Sequence, residues 1–161
     1  NPYQDFLGDL FMRFDLSNTW KGQFFTPYSI CEAMSSITAR DLTVQLKNKP
    51  WISVNDPACG AGALLIAFAQ ECRRQKVTYQ QSVLFVAQDI DRTAALMCFV
   101  QLSLLGCAGY VVVGDSILNP TVGLSVLLPV KQDGQEIWYT PMMCTEIWQY
   151  RLALEKIKHI P

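Results

Sequence analysis

The apolar residues of this chain form two kinds of pattern that alternate along it. Apolar runs of strand length, interrupted only at Ser53, occupy residues 51–54, 83–87 and 110–113, as expected of strands buried in a parallel sheet. Between them, residues 63–74 carry apolar positions at helical spacing, and residues 94–105 are apolar on nearly every side, as expected of a helix buried against both the sheet and a neighbour. Strands that alternate with helices in this way predict an α/β fold with a doubly wound, mainly parallel sheet.

The first forty residues predict an N-terminal helical segment. One apolar helix face over residues 3–14 is formed by Phe6, Leu7, Leu10, Phe11 and Phe14. We expect this face to cover the domain core, and docking of a partner helix is the alternative. Residues 28–40 predict a second helix, for which Thr26 is a typical N-cap and Pro27 a typical first residue. The polar stretch 41–50 predicts a linker into the first strand.

The last third of the chain predicts a β-hairpin followed by a closing helix. Residues 124–130 and 136–139 have strand-like composition, and the Asp133-Gly134 dipeptide between them is typical of a hairpin turn. Pro129 either restricts the first of these strands to a sheet edge or shortens it. Residues 145–157 return to helical apolar spacing, which predicts the closing helix.

Length and composition limit the class of protein. The chain has 161 residues, half of them hydrophobic and 17% charged, which suits one compact domain. We divide it into N-terminal helices over residues 1–40 and an α/β core over residues 41–161. Its apolar runs are shorter than the ~20 residues of a membrane helix, so we expect no membrane span. A net charge of −1 offers no overall attraction to nucleic acid, so DNA contacts would depend on a local patch or a partner.

The six cysteines predict free thiols rather than a metal site. They are scattered without a C-x-x-C pair, and His159 is the single histidine. We therefore expect no metal and a reducing, cytoplasmic location. The N-terminus has no signal-peptide pattern. It begins at Asn1 rather than a methionine, which suggests that the sequence is part of a longer protein.

A glycine turn over residues 55–62 is the first candidate site. It joins the first predicted strand to a helix, so backbone N–H groups and the positive end of the helix dipole lie beside it. Gly60 and Gly62 would let the backbone approach a ligand closely. The spacing differs from G-x-G-x-x-G, and no Lys-Ser/Thr follows, so dinucleotide and phosphate-loop interpretations both weaken.

The next two strands also end in polar residues. Asp89 closes the second strand at the edge where ligands of open parallel sheets bind, and its carboxylate could accept bonds from two adjacent ribose hydroxyls. Asp91 either caps the following helix or faces a ligand. Gly114-Asp115-Ser116 follows the third strand and by itself indicates only a turn.

Four segments together resemble the S-adenosylmethionine-dependent N6-adenine DNA methyltransferases, most closely those of type I restriction-modification systems. Residues 56–62, Asp-Pro-Ala-Cys-Gly-Ala-Gly, are similar to motif I of that family, and residues 21–27, Lys-Gly-Gln-Phe-Phe-Thr-Pro, to its motif X. Residues 88–93 are similar to its Gln-Glu-Ile-Asn/Asp-Pro-Thr, and residues 114–116 to the Gly-Asp-Ser of motif III. The resemblance covers residues 22–116 and implies a Rossmann-like methyltransferase fold.

The resemblance also implies a binding site for S-adenosylmethionine. In that family, motif X closes over the methionine end of the cofactor, and motif III accepts a hydrogen bond from the adenine amine. The implied cofactor-binding residues are Phe25, Thr26 and Pro27 at the methionine end, Asp56, Ala58, Cys59, Gly60 and Gly62 in the turn, Asp89 and Ile90 at the ribose and adenine ring, and Asp115 with Ser116 at the adenine amine.

The catalytic motif of that family is missing from this sequence. The family carries Asn/Asp-Pro-Pro-Tyr/Phe after a further strand, where polar groups hold the target amine and the aromatic ring stacks on a flipped base. The nearest segment, Asn119-Pro120-Thr121-Val122, lacks the second proline and the aromatic residue. Because Asn-Pro favours turns, this segment predicts a turn. We therefore assign no catalytic residue.

Several functions stay compatible with these observations. The domain could be a degenerate cofactor-binding or partner-binding protein, a fragment without its catalytic strand, or a methyltransferase for another substrate that works by positioning alone. A non-catalytic interaction module is the alternative from a different class. The expected partners are S-adenosylmethionine, DNA through a partner subunit or a domain outside this chain, and further subunits in a homo-oligomer or hetero-oligomer.

Overall fold

A four-stranded sheet organises the described residues, 2–14 and 26–159 of this computed structural model. Its strands, in spatial order, are β1 (Ile52–Asp56), β2 (Val83–Asp89), β3 (Ala108–Val113) and β6 (Glu136–Tyr139). The first three run parallel, and β6 pairs antiparallel with β3. A separate antiparallel pair consists of β4 (Val122–Ser125) and β5 (Leu128–Val130). The predicted α/β fold with a mainly parallel sheet is confirmed.

Helices connect these strands and cover the sheet. They are α1 (Phe6–Arg13), α2 (Tyr28–Thr38), α3 (Leu42–Asn48), α4 (Ala63–Arg74), α5 (Tyr79–Ser82), α6 (Arg92–Leu104) and α7 (Glu146–Lys158), with a 3₁₀ helix over Pro141–Cys144. The predicted helices after the glycine turn, after the second strand and at the end of the chain correspond to α4, α6 and α7.

The alternation of side chains along the strands builds one apolar cluster on each face of the sheet. On one face, Phe85 and Val111 pack with residues of α3, α4 and α6. On the other face, Val86 and Tyr110 pack with Trp148 of α7. Helices thus cover both faces, while the two crossovers, through α4 and α6, lie on the same face.

The predicted C-terminal hairpin is wrong in its pairing. The segment 122–130 folds back on itself as β4 and β5, and β6 instead joins the edge of β3, where Trp138 lies opposite Val111. Thr140, just after β6, fixes this arrangement because its hydroxyl donates to the Cys107 carbonyl at 2.7 Å and accepts from the Gly109 amide at 3.0 Å. Pro129 lies in the small two-stranded sheet.

The predicted linker and helix cap also need correction. Residues 41–50 contain α3, because Leu42 is almost fully buried against the core and anchors this short helix. Thr26 is not the N-cap of α2. That position belongs to Pro27, whose carbonyl accepts hydrogen bonds from the Ile30 and Cys31 amides.

Two surfaces are less buried than the apolar pattern predicts. β1 was expected to be buried, yet β2 is its one neighbour among the described strands, and Ser53 and Asn55 are exposed. Gly8 of α1 is buried, whereas Phe6 and Phe14, the residue that follows this helix, are 60% and 66% exposed. The helix therefore contacts the domain through a narrower face than the five predicted apolar residues, and that part of the prediction is wrong.

Trp148 of α7 packs on the face of the sheet that carries Val86 and Tyr110, and its substitution tests this packing. Its side chain is fully buried, and its indole N–H donates to the Gln80 carbonyl at 2.8 Å. We expect Trp148→Ala to lower the free energy of unfolding by about 3–5 kcal/mol, because it leaves a large cavity and an unpaired carbonyl. Tyr150→Ala, on the exposed side of the same helix, should change it by less than ~0.5 kcal/mol. Urea denaturation measures both, and equal effects would contradict the assignment.

Candidate functional site

A cavity of about 320 Å³ lies beside the glycine turn, at the carboxyl ends of β1 and β2. Seven of the residues predicted from the sequence line it: Thr26, Asp56, Ala58, Cys59, Gly60, Asp89 and Ile90. The register explains why they meet. Asp56 pairs with Ala87, so β2 runs two residues past β1, and Asp89 at its end faces the turn that leaves β1.

The backbone amides of the turn are largely satisfied within the protein. The Ala58 amide donates to Asp56 Oδ1 at 3.2 Å, and the Cys59 amide donates to the Gln88 carbonyl at 3.0 Å. The Gly60 amide donates to Asp89 Oδ2 at 2.8 Å. Gly60 adopts a positive φ of 52°, which favours glycine and lets the chain make this turn. Since these donors are occupied, the turn is poorly suited to cradle a phosphate.

Asp89 braces the turn from the end of β2. One carboxylate oxygen accepts the Gly60 amide, and the other accepts the Asp91 amide at 2.8 Å. Each oxygen has a further lone pair for a ligand. Asp91 caps α6 by accepting from the Thr93 and Ala94 amides at 2.9 and 3.1 Å, which confirms the capping interpretation for that residue.

The cavity is acidic. Asp5, Asp56 and Asp89 all line it, and none of the lining residues that the structure describes carries a positive charge. Burial raises the pKa of Asp56, and the nearby Asp89 raises it further, although the Ala58 amide opposes the shift. An ionised Asp56 is therefore costly in the free protein. A cationic ligand would relieve that cost, whereas a phosphate would meet repulsion.

The cysteines of the cavity remain protonated thiols. A hydrogen bond with Cys98, together with burial, raises the pKa of Cys59 well above its ordinary value. Burial also raises the pKa of Cys31. Because the thiolate is the nucleophilic form, neither side chain is prepared for nucleophilic attack. These two cysteines therefore provide no activated sulfur nucleophile in the cavity.

Four of the predicted residues do not line this cavity. Phe25 is outside the described residues. Pro27 lines an adjoining cavity of about 400 Å³, which also touches Thr26 and Asp5. Gly62 caps α4 and donates its amide to the Cys59 carbonyl at 2.8 Å.

The motif after β3 does not reach the cavity. Asp115 Oδ1 accepts from the Ile117 and Leu118 amides at 2.8 and 3.0 Å, which stabilises the following turn. Ser116 lines a different cavity, of about 500 Å³, which also contacts Val86 and Tyr110 from the other face of the sheet. Within the third predicted segment, the Gly114 amide donates to the Asp89 carbonyl at 2.9 Å, but Asp115 and Ser116 do not line the acidic cavity.

Several residues that line the cavity were not predicted from the sequence. Asp5 before α1, Cys31 and Met34 in α2, and Ala94 in α6 all line the cavity. Gln101 holds this part together. Its Nε2 donates at 2.8 Å to both Asp5 Oδ1 and the Ala61 carbonyl, and its Oε1 accepts from the Leu7 amide at 3.1 Å. The sequence signal for this role was the single amide side chain, that of Gln101, in a mainly apolar helix.

The turn predicted at Asn119-Pro120-Thr121-Val122 lies earlier in the chain, over residues 115–119, and Val122 already begins β4. The Asn119 amide donates to the Asp115 carbonyl at 2.8 Å. Its own carbonyl accepts from the side-chain amides of Gln88 and Gln135 at 2.9 and 2.8 Å. These bonds give the segment a structural role in joining β2 to the loop before β6.

Two features are absent from the described part of the chain. No helix there combines the length and apolar character that a membrane span requires. No group of three His, Cys, Asp or Glu side chains there is arranged to hold a metal ion.

Comparison with known proteins gives one finding about family. The family model described as N-6 DNA Methylase matches residues 4–135. Comparisons with curated proteins and with solved structures give no match. The matched segment contains every element that lines the acidic cavity.

The raised pKa of Asp56 predicts a gain in stability when its charge is removed. Ionisation of this buried group opposes folding once the pH exceeds its unfolded pKa. Asp56→Asn keeps the acceptor for the Ala58 amide and should raise Tm at pH 7 by ~2–4 °C, the shift that ~1 kcal/mol produces in a domain of this size. The gain should shrink as the pH falls through the folded-state pKa of Asp56, because the wild-type carboxyl is then neutral as well. Thermal scans across pH, with the exposed Asp133→Asn as control, measure this; a pH-independent gain would contradict it.

Proposed function

We propose, because the chain belongs to the N-6 DNA methylase family, that its methyltransferase-like domain binds S-adenosylmethionine in the acidic cavity beside the glycine turn. When bound, this cofactor supplies a methyl group carried on a sulfonium cation. The observation that carries the proposal is the set of three carboxylates that line the cavity without a described cationic neighbour. That charge pattern suits a ligand with a sulfonium and an ammonium group.

The shape and chemistry of the cavity support the same ligand. Its volume of about 320 Å³ falls at the lower end of the ~300–1,000 Å³ usual for ligand pockets. Asp89 offers one remaining lone pair on each oxygen, which suits the two adjacent hydroxyls of a ribose. Ile90, which is 69% exposed, provides an apolar surface for an adenine ring. We place the ribose and the ring at these two residues.

The chain would act as one binding unit. The N-terminal helices over residues 1–40 supply Thr26 and Cys31, and the core over residues 41–161 supplies the turn and Asp89. The proposed site keeps five flanking residues: Phe25, Pro27, Gly62, Asp115 and Ser116. All six cysteines are free, which accords with the cytoplasmic location that we propose. DNA contacts would come from a partner subunit or a further domain, as in a restriction-modification assembly.

We further propose that the chain by itself is degenerate in catalysis. Its sequence has no Asn/Asp-Pro-Pro-Tyr/Phe segment, and the carbonyl of Asn119 is already used by Gln88 and Gln135. An acceptor base needs an aromatic platform and free polar groups to hold its Watson–Crick edge. Among the described residues that line the cavity, none is aromatic.

Cofactor binding is the first test of this proposal. Calorimetric titration with S-adenosylmethionine should give one site, and Asp89→Ala should weaken it by roughly 10- to 100-fold. The substitution removes an acceptor worth ~1.5–3 kcal/mol and also releases the Gly60 amide that shapes the turn. The absence of both heat and a thermal shift at millimolar ligand would refute the proposed function.

Asp115→Ala is the matched comparison for that titration, because it removes an aspartate from the same edge of the sheet but outside the cavity. Unchanged affinity would confine the site to the lining residues. Weakening equal to that of Asp89→Ala would extend the site to the segment after β3.

A second test concerns adenine methylation. We expect the isolated chain to transfer no methyl group to adenine N6 in duplex DNA, even with the cofactor bound, because it lacks an acceptor pocket and a concentrated basic surface. Incubation with tritiated S-adenosylmethionine and mixed-sequence DNA, beside an active adenine methyltransferase, measures the transfer. Label on adenine N6 would overturn the assignment of the chain as degenerate.

A further inference from the structure

The carboxylate of Asp5 is held at the wall of the acidic cavity by the rest of the protein. Its Oδ1 accepts the Gly8 amide at 2.9 Å and the Gln101 side-chain amide at 2.8 Å. The same Gln101 nitrogen donates to the Ala61 carbonyl, so Asp5 lies next to the glycine turn although it precedes that turn by more than fifty positions. Gln101 is itself buried, which fixes the bridge.

One oxygen of Asp5 is left for a ligand. Both hydrogen bonds end on Oδ1, and Oδ2 has no hydrogen-bond partner among the described residues. Helix capping alone would explain the bond from Gly8. It does not explain why a buried amide ties the same oxygen to the glycine turn at the wall of a cavity.

The three carboxylates of the cavity differ in what they can still accept. Asp56 is nearly buried, and burial raises its pKa. Asp89 accepts a backbone amide on each oxygen and faces Gly60. Asp5 is half-buried and shares its part of the wall with Thr26 and Cys31, on the side of α1 and α2. A ligand whose ribose lies at Asp89 would therefore extend its other end toward Asp5.

We propose that Asp5 is a specificity-determining residue that accepts a hydrogen bond from the ammonium group of the amino-acid end of the cofactor. The inference rests on the proposed binding of S-adenosylmethionine. An ammonium group provides three donors and a full positive charge, and a carboxylate oxygen with free lone pairs is its strongest partner. Gln101 is the positioning residue that keeps this oxygen beside the turn.

Asp5→Asn isolates the charge of this side chain. Asparagine is as good an N-cap as aspartate, so its Oδ1 can still accept from Gly8 and Gln101, while an NH₂ group replaces the free oxygen. Asp5→Ser is a second variant that also caps the helix but removes the carboxylate. Asp9→Asn, an exposed residue of α1 paired with Arg13 at 2.9 Å, is the control for loss of one negative charge.

Two ligands separate a contact with the ammonium group from a general effect on the cavity. S-adenosylhomocysteine carries the amino-acid end, and 5′-methylthioadenosine lacks it. We expect calorimetry to show that Asp5→Asn and Asp5→Ser weaken S-adenosylhomocysteine roughly 10- to 100-fold, the range for a hydrogen bond to a charged group. Both should bind 5′-methylthioadenosine within about twofold of wild type, and Asp9→Asn should bind both ligands like wild type.

The outcomes distinguish this inference from the proposed function. If wild type binds and both Asp5 variants lose affinity for the two ligands equally, Asp5 only shapes the turn and the inference fails. If neither ligand loses affinity, Asp5 makes no contact and the inference fails while the proposed function stands. If wild type binds neither of these ligands and does not bind S-adenosylmethionine, the proposed function fails, and the inference fails because it rests on that function.

Discussion

The hydrogen bond from the Gly60 amide to the Asp89 carboxylate joins the two strand ends from which the site is built. A second bond, from the Cys59 amide to the Gln88 carbonyl, lies beside it. Together they hold the glycine turn against the end of β2 and orient Asp89 toward the cavity. The turn then directs the chain into α4, whose first residues form another part of the wall. The parallel pairing of β1 with β2 brings the strand ends together, and these two bonds add the turn to them.

The same connection determines the chemistry of the site. Because Asp89 and the Gln88 carbonyl consume the amides of the turn, the positive end of α4 is not presented to a ligand in the manner of a phosphate-binding loop. The carboxylates remain and make the cavity acidic. A chain with a net charge of only −1 thus concentrates three negative charges at one place. Burial of Asp56 in this setting opposes folding when its carboxyl is ionised.

The parts of this molecule that could be predicted from sequence are those with local causes. The continuous apolar run of β2 predicts a strand buried on both faces, and Asp91 caps α6 two residues after that strand ends. The strand character of Glu136–Tyr139 was equally visible, but its partner was not, because alternation shows that a strand exists and not which edge it joins. The bridge between Asp5 and Gln101 spans 96 positions, so no local pattern could reveal it.

The position of β1 at the edge of the described sheet has a consequence for dynamics. A strand with a single neighbour opens at lower free energy than β2, which is paired on both sides, so its amides should exchange with solvent first. The glycine turn is attached to this strand. A ligand that touches Ala58 and Gly60 would bind the closed form alone and add RT ln(1 + [L]/Kd) to the free energy of opening. The rate of hydrogen exchange at β1 would therefore fall as the concentration of that ligand rises.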